Sequence, residues 1–337
     1  MRTLVLSRTA AALLLAGVVC LTVGPRARVE GAQQPAGDDL DVVEIRPNFY
    51  MIAGAGGNIA AQVGPIGVIL VDTGSAQMSD KVLAAVKRLS NRPIRYIINT
   101  SADADHAGGN ETLSKAGQTI LGNQGSAGVS EEAYTSGGAA SVLAHENVLA
   151  RMSATTGPQP RFPSAAWPTK VYSGKAYPMS LNGDGIQVLH LPAAHSDGDS
   201  IVFFRRADVI VTGDTLDTTR FPVIDVAKGG SIQGEIDALN RLVDLTIPPF
   251  PLAFREERTY LVPGHGFVCD FGDLVEYRRM VTIVRDRIRD LADKGMTLQQ
   301  VKAADPAQGF RRRYGADAGS WTTEMFVEAI YKTLGKK

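Results

Sequence analysis

Four short segments run from an apolar stretch straight into side chains that bind metals. They are Ile97-Ile98-Asn99-Thr100-Ser101-Ala102-Asp103-Ala104-Asp105-His106, Leu191-Pro192-Ala193-Ala194-His195-Ser196-Asp197-Gly198-Asp199, Val211-Thr212-Gly213-Asp214 and Leu261-Val262-Pro263-Gly264-His265. Imidazole nitrogens and carboxylate oxygens on four such loops can converge on one point. That donor mixture suits Zn2+, and with more carboxylate also Fe or Mn. A lone histidine at a strand end is more often packed or capping, but four ligand-bearing segments in one chain point to a site. A bound cation lowers the pKa of a coordinated water toward neutrality, giving hydroxide at pH 7 that attacks a carbonyl-type electrophile. The same cation stabilises the oxyanion that develops.

Positioning such loops takes strands. Val42 to Ile52, Ile59 to Val63 and Val68 to Val71 are β-branched runs separated by Gly and Asn, and Asp72-Thr73-Gly74 ends the third. Val82, Leu83, Val86 and Leu89 follow at helical spacing, with Ser79 or Asp80 as the cap. Ile94 to Ile98 reads as a buried strand running into a polar loop, Asn99 to Asn110. The second half repeats the pattern with strands at 185–191, 201–204, 209–212 and 260–262, and helices at 232–245, 273–294 and 322–335. The class is α/β, and loops leaving the strand ends of such folds carry the site. Residues 116–141, rich in Gly, Ser and Ala, read as a loop insertion.

The chain has 337 residues, 35 basic and 35 acidic side chains, five histidines and two cysteines, with 44% apolar residues. That composition is globular, and zero net charge leaves no electrostatic footprint for nucleic acid. Residues 1–32 read as a Sec-type signal peptide: Arg2 and Arg8 at the start, then an apolar run from Thr9 to Gly24 too short for a stable membrane span. The expected location is periplasmic or secreted. Cleavage removes Arg2, Arg8, Arg26, Arg28, Glu30 and Cys20, which makes the mature chain mildly acidic and leaves Cys269 as its one cysteine. Residues 33–40 read as a flexible lead-in, and 41–337 as one domain whose C-terminal part, 272–337, is helical. Oligomeric state is not readable.

The order of these segments resembles the metallo-β-lactamase fold superfamily over most of residues 42–280. Its central motif, His-x-His-x-Asp-His before Gly-Gly-Asn, aligns with Ser101-Ala102-Asp103-Ala104-Asp105-His106-Ala107-Gly108-Gly109-Asn110. Asp72-Thr73-Gly74 matches the early strand-end aspartate; His195, Asp214 and His265 match the later histidine, bridging carboxylate and final histidine. Phe221-Pro222-Val223-Ile224-Asp225, then Gly229-Gly230-Ser231, resembles a stretch of the bacterial metallohydrolase branch. The resemblance implies a four-layer αββα sandwich with the metals at one edge between two sheets. It also implies that Asp105, His106 and His265 hold the second metal, with Asp214 between the two. The first site departs from the pattern, because Ser101 and Asp103 stand where the family has histidines and only His195 remains. Serine is a poor neutral ligand, whereas aspartate is competent but shorter than histidine. One metal in the second site, two metals with a weaker first one held by Asp103, His195 and Asp214, or loss of hydrolysis are the open outcomes.

The expectation is an exported hydrolase of a small-molecule lactam, lactone, thioester or ester, using one or two Zn2+. Its rival is a non-catalytic binding protein of the same fold that keeps one metal or none. Asp105 would ligate and orient; Asp103, if not a ligand, stands where a general base would be useful. Asp72 is expected to orient a ligand from behind, or else to form a turn before Gly74. His145 and His190 read as structural, Cys269 as a buried inert thiol, and Trp167 with Phe162 and Pro163 as a loop that lines a pocket or covers a sheet edge.

Overall fold

The computed structural model describes residues 40–120, 138–155, 161–249 and 258–334. The expected signal peptide at 1–32, residues 33–39 of the lead-in and 121–137 of the loop insertion lie outside the described residues. Among those described, no helix is long and apolar enough to cross a membrane.

The first sheet orders its strands as they occur in the chain: β1 (Asp41–Arg46), β2 (Phe49–Ala55), β3 (Gly57–Val63), β4 (Val68–Val71), β5 (Ile94–Ile98), β6 (Ser141–His145) and β7 (Lys170–Tyr172). Strands β1 to β4 are antiparallel and β4 to β7 parallel. The second sheet runs β12 (Tyr260–His265), β11 (Val209–Asp217), β10 (Asp199–Phe204), β9 (Asp184–Leu191) and β8 (Ala176–Leu181). The run read as one strand from Val42 to Ile52 is a hairpin. Asn48, at φ 64°, turns the chain between β1 and β2, and a short polar side chain tolerates that left-handed backbone.

Three apolar layers follow from the alternation of side chains along the strands. One face of the first sheet (Ile52, Ile59, Leu70, Ile97) packs on α1 (Ser79–Leu89) and Leu113 of α3 (Asn110–Lys115). Its other face (Met51, Ile69, Ile98, Leu143) meets Val188, Val202, Val211 and Val262 of the second sheet. The far face of the second sheet (Leu189, Ile201, Ile210, Leu261) packs on α5 (Ile232–Leu245), α6 (Phe271–Asp293) and α9 (Thr323–Thr333), with Val301 of α7 (Leu298–Ala303) and Tyr314 of α8 (Arg311–Tyr314) in the same layer. Helix, sheet, sheet, helix is the predicted sandwich.

Ser79 and Asp80, read as the cap of α1, lie inside its first turn; the cap is Met78, which makes no side-chain cap bond, and a 3-10 turn, Ala76–Met78, leads into the helix. The polar stretch 99–110 contains one helical turn, α2 (Ala104–Ala107), and the start of α3. Four residues are too few to show a helical period. The Phe162–Trp167 loop closes over a small apolar cluster with Ala102, Ala107, Val148 and Met152, and Trp167 Nε1 donates to Phe162 O at 3.0 Å. It covers the structure around α2 and α4 (Glu146–Ser153).

Candidate metal centre

Parallel strands release their loops at one end. Asp72 follows β4, Ser101 to His106 follow β5, His195 follows β9, Asp214 lies within β11 and His265 closes β12. Two contacts hold the sheets together at this edge: Ser200 N, in β10, donates to Thr100 O at 2.8 Å, and Asn58 Nδ2, in β3, donates to the carbonyls of Pro263 and Gly266 at 3.0 Å each.

All six predicted ligands meet there, in two groups. In each, the donor atoms lie within 4.8 Å of one another: Asp105, His106 and His265 in one, and Asp103, His195 and Asp214 in the other. Asp214 touches both. Its Oδ1 is 3.1 Å from His106 Nε2 and 3.3 Å from His265 Nε2, while its Oδ2 is 3.9 Å from His195 Nε2.

The first of these groups is aimed from behind. Buried Asp72 accepts from Thr100 N at 2.8 Å and Thr100 Oγ1 at 2.6 Å, and His106 Nδ1 donates to its Oδ2 at 2.8 Å. With Nδ1 donating to Asp72, Nε2 faces the site and would offer its lone pair to a cation on giving up its own proton, the arrangement by which carboxylates orient metal-binding histidines. Asp72 thus braces the His106 ring from behind, and its φ of 63° is the backbone cost. Gly57 supplies the space: a Cβ there would meet Asp105 O and His106 Cε1 at 2.9 Å each.

This group fits a cation. His265 Nε2 is buried without a hydrogen-bond partner among the described residues, although Asp214 Oδ1 and Asp105 Oδ2 lie only 3.3 and 3.4 Å away. An orphaned imidazole nitrogen between two carboxylate oxygens is the geometry of ligands aimed at a common centre, not of a closed hydrogen-bond network. Burial opposes charge on His106 and His265, yet the surrounding carboxylates prevail. Asp214 and Asp72 hold His106 protonated well above the ordinary histidine value, and Asp105 and Asp214 push His265 up to about 9. Asp214, despite its burial, is held well below the carboxylate range by His106 first among its neighbours. This concentration of negative charge is what a divalent cation would neutralise.

The other group is built differently. His195 Nδ1 donates to Val223 O at 2.8 Å, which aims Nε2 at Asp103 Oδ2, 2.7 Å away. Asp103 Oδ1 accepts from Lys228 Nζ at 2.6 Å, with Arg161 Nη2 at 3.8 Å. Burial raises the Asp103 carboxyl, but the hydrogen bond and charge of His195, then the charge of Lys228, hold it well below its usual range. Both oxygens are engaged, one by the His195 ring and the other by the Lys228 ammonium, so Asp103 is not a solvated loop carboxylate. Among the described residues, Ser101 Oγ accepts from Asp103 N at 3.2 Å and shapes the loop.

The remaining candidates are structural. His145 caps α4, accepting from Asn147 N, and its ring stacks on His190 at 3.7 Å. Cys269 is buried, and burial pushes its thiol well above the ordinary value. Lys228 is the residue missed by sequence reasoning. It sits inside the Phe221-to-Ser231 stretch, beside a glycine pair, and a lysine between Asp225 and Gly229 was the available signal.

A family model described as the metallo-beta-lactamase superfamily matches residues 56–253. The chain is 24% identical over 299 residues to a linear primary-alkylsulfatase from Pseudomonas sp. (strain ATCC 19151), covering 80% of this chain and 54% of that protein. It thus spans about half the length of that curated relative. Among solved structures it resembles the stereoselective inverting sec-alkylsulfatase Pisa1 from Pseudomonas sp., with a TM-score of 0.58 at 16% identity over 88% of this chain and 51% of that one. It also resembles a metallo-beta-lactamase from Pontibacter korlensis, with a TM-score of 0.51 at 16% identity over 72% of this chain and 99% of that one. These structural likenesses show the fold.

Proposed function

The chain belongs to the metallo-beta-lactamase superfamily, and on that premise we propose that it is a metal-dependent hydrolase of an anionic ester, a sulfate ester foremost. The observation that carries the proposal is the converging group of Asp105, His106, His265 and Asp214 with its orphaned His265 nitrogen. Nitrogen and oxygen donors in that ratio favour Zn2+, with Fe or Mn as harder alternatives. A divalent cation held there would lower the pKa of a coordinated water and stabilise negative charge on the scissile group.

The chain's own residues do the rest. Asp72 fixes His106, Asp105 and Asp214 both lie beside His265 Nε2, and Asn58 holds the backbone on either side of His265. Lys228 and Arg161 place two cations at the Asp103 carboxylate, and Arg220, paired to Asp217, contributes a third cation whose charge is felt by Asp214 and Asp105. Beside a bound divalent cation, these three side chains support a substrate that keeps a negative charge, as a monoalkyl sulfate does. The alkylsulfatase names of two relatives support the same choice among the lactams, lactones, thioesters and esters that the sequence left open. Export by the segment at 1–32 belongs to the proposal.

The test is a panel of alkyl sulfates, chromogenic lactams, lactones, thioesters and phosphodiesters offered to zinc-loaded protein. Turnover of the sulfates that disappears with a chelator and returns with zinc supports the reading. Metal-independent turnover, or none on any substrate despite bound metal, refutes it. The last result would favour a binding protein, the reading consistent with the closed Asp103–His195–Lys228 group.

A further inference from the structure

We infer that the Lys228 ammonium takes the place of the first metal ion, so that the chain holds one divalent cation per molecule, in the Asp105–His106–His265 group. The inference rests on the proposal that this second group binds a metal.

Geometry alone would admit an ion at Asp103, His195 and Asp214, since their donor atoms are close enough. Charge and contact argue otherwise. A first-site ion would need a free Asp103 oxygen, yet Oδ1 is in contact with an ammonium at 2.6 Å and Oδ2 with His195 Nε2 at 2.7 Å. The two changes that dismantle a histidine site also explain the lysine. Ser101 removes a ligand without adding charge, whereas Asp103 brings a partly buried negative charge next to Asp214, and Lys228 supplies the matching positive one. A carboxylate drawn out of water without a cation would be costly.

Lys228 is fixed in position rather than passing by. Asp225 Oδ2 is 2.8 Å from the same Nζ, and Asp225 Oδ1 accepts from the Lys228 backbone N at 3.0 Å. The Lys228 carbonyl accepts from Asp197 N at 2.9 Å and Arg151 Nη2 at 2.6 Å. Asp225 N donates to His195 O at 2.9 Å, which ties this loop to the strand-end histidine it faces. The glycine pair beyond it permits the close approach: Gly229 has φ 86°, and a Cβ on Gly230 would fall 2.2 Å from His195 O. Backbone on both sides, a second carboxylate and the His195 main chain thus hold the ammonium against Asp103. The side chain remains 19% exposed, so one of its three donors can still meet an anionic substrate.

The test is metal stoichiometry, by elemental analysis of the purified protein and by calorimetric titration of the chelator-stripped protein with Zn2+. One ion per chain is expected in the wild type. That ion should remain in His195→Ala and in Lys228→Met, and disappear in His265→Ala, with circular dichroism confirming that each variant is folded. Two ions per chain, one of them lost in His195→Ala, would overturn the inference while leaving the hydrolase reading intact. No bound ion in folded wild-type protein would overturn both.

Discussion

Replacing Asp72 by asparagine tests how the site is aimed. The carboxylate accepts three hydrogen bonds, from Thr100 N, Thr100 Oγ1 and His106 Nδ1, at 2.8, 2.6 and 2.8 Å. Asparagine has the same shape and is among the residues that best tolerate a φ of 63°, so the backbone is not disturbed. Its amide has one acceptor oxygen where the carboxylate had two. With Oδ1 kept on Thr100 N, the amide NH2 faces His106 Nδ1 and draws the ring into the other tautomer. Nε2 then carries the proton and cannot bind a cation. Removing such an orienting partner typically costs 10- to 100-fold in metal affinity, about 1.4–2.7 kcal/mol. Alanine should cost more stability than asparagine, because it leaves the Thr100 donors without their partner and places a residue poorly suited to φ 63° there. Chelator-competition titration of Zn2+ gives the affinities, and urea unfolding gives the stabilities. Wild-type zinc affinity in Asp72→Asn would refute the orienting role.

Other perturbations reach separate parts of the structure. Gly57→Ala puts a methyl group 2.9 Å from Asp105 O and His106 Cε1; crowding of this kind typically costs about 1–3 kcal/mol of stability, and zinc affinity should fall with it, both readable in the same titrations. Glu235 is buried with neither carboxyl oxygen hydrogen-bonded among the described residues, and burial, then Asp199, holds its pKa well above the ordinary value. A carboxyl raised on folding loses stability as pH rises above its unfolded value of 4.5, so Glu235→Leu should stabilise the protein by about 1–3 kcal/mol at neutral pH and flatten that slope in urea midpoints. His145 has the opposite dependence: burial, then the charge of neighbouring His190, lowers its pKa from 6.5. A histidine kept neutral by folding costs stability as pH falls below 6.5, and His145→Asn should remove part of that loss.

The strands and the ligand-bearing loops were legible because each rests on local chemistry. Ile94 to Ile98 is apolar and β-branched, Asp72 to Gly74 is a strand-end turn, and Ser79 to Leu89 shows helical spacing. The helices at 232–245, 273–294 and 322–335 fell within a few residues of α5, α6 and α9 for the same reason. The hairpin of β1 and β2 was passed over because one strand was read through Pro47 and Asn48, the two residues that make its turn and carry its only local signal. The six candidate ligands were visible through their resemblance to a family pattern, but their partners were not. Lys228 lies 125 residues from Asp103, and only the fold of the glycine loop against His195 brings the ammonium to the carboxylate. The same holds for Val223, whose carbonyl sets the His195 tautomer through a backbone atom that no side-chain pattern marks.

The central claim, that the Asp105–His106–His265 group holds the cation for ester hydrolysis, is tested most directly by measuring bound zinc and alkyl-sulfate turnover on the same samples of wild type, Asp105→Asn and His265→Ala. Zinc and turnover should fall together in both variants. Turnover that persists in folded His265→Ala after its zinc has been removed would contradict the claim.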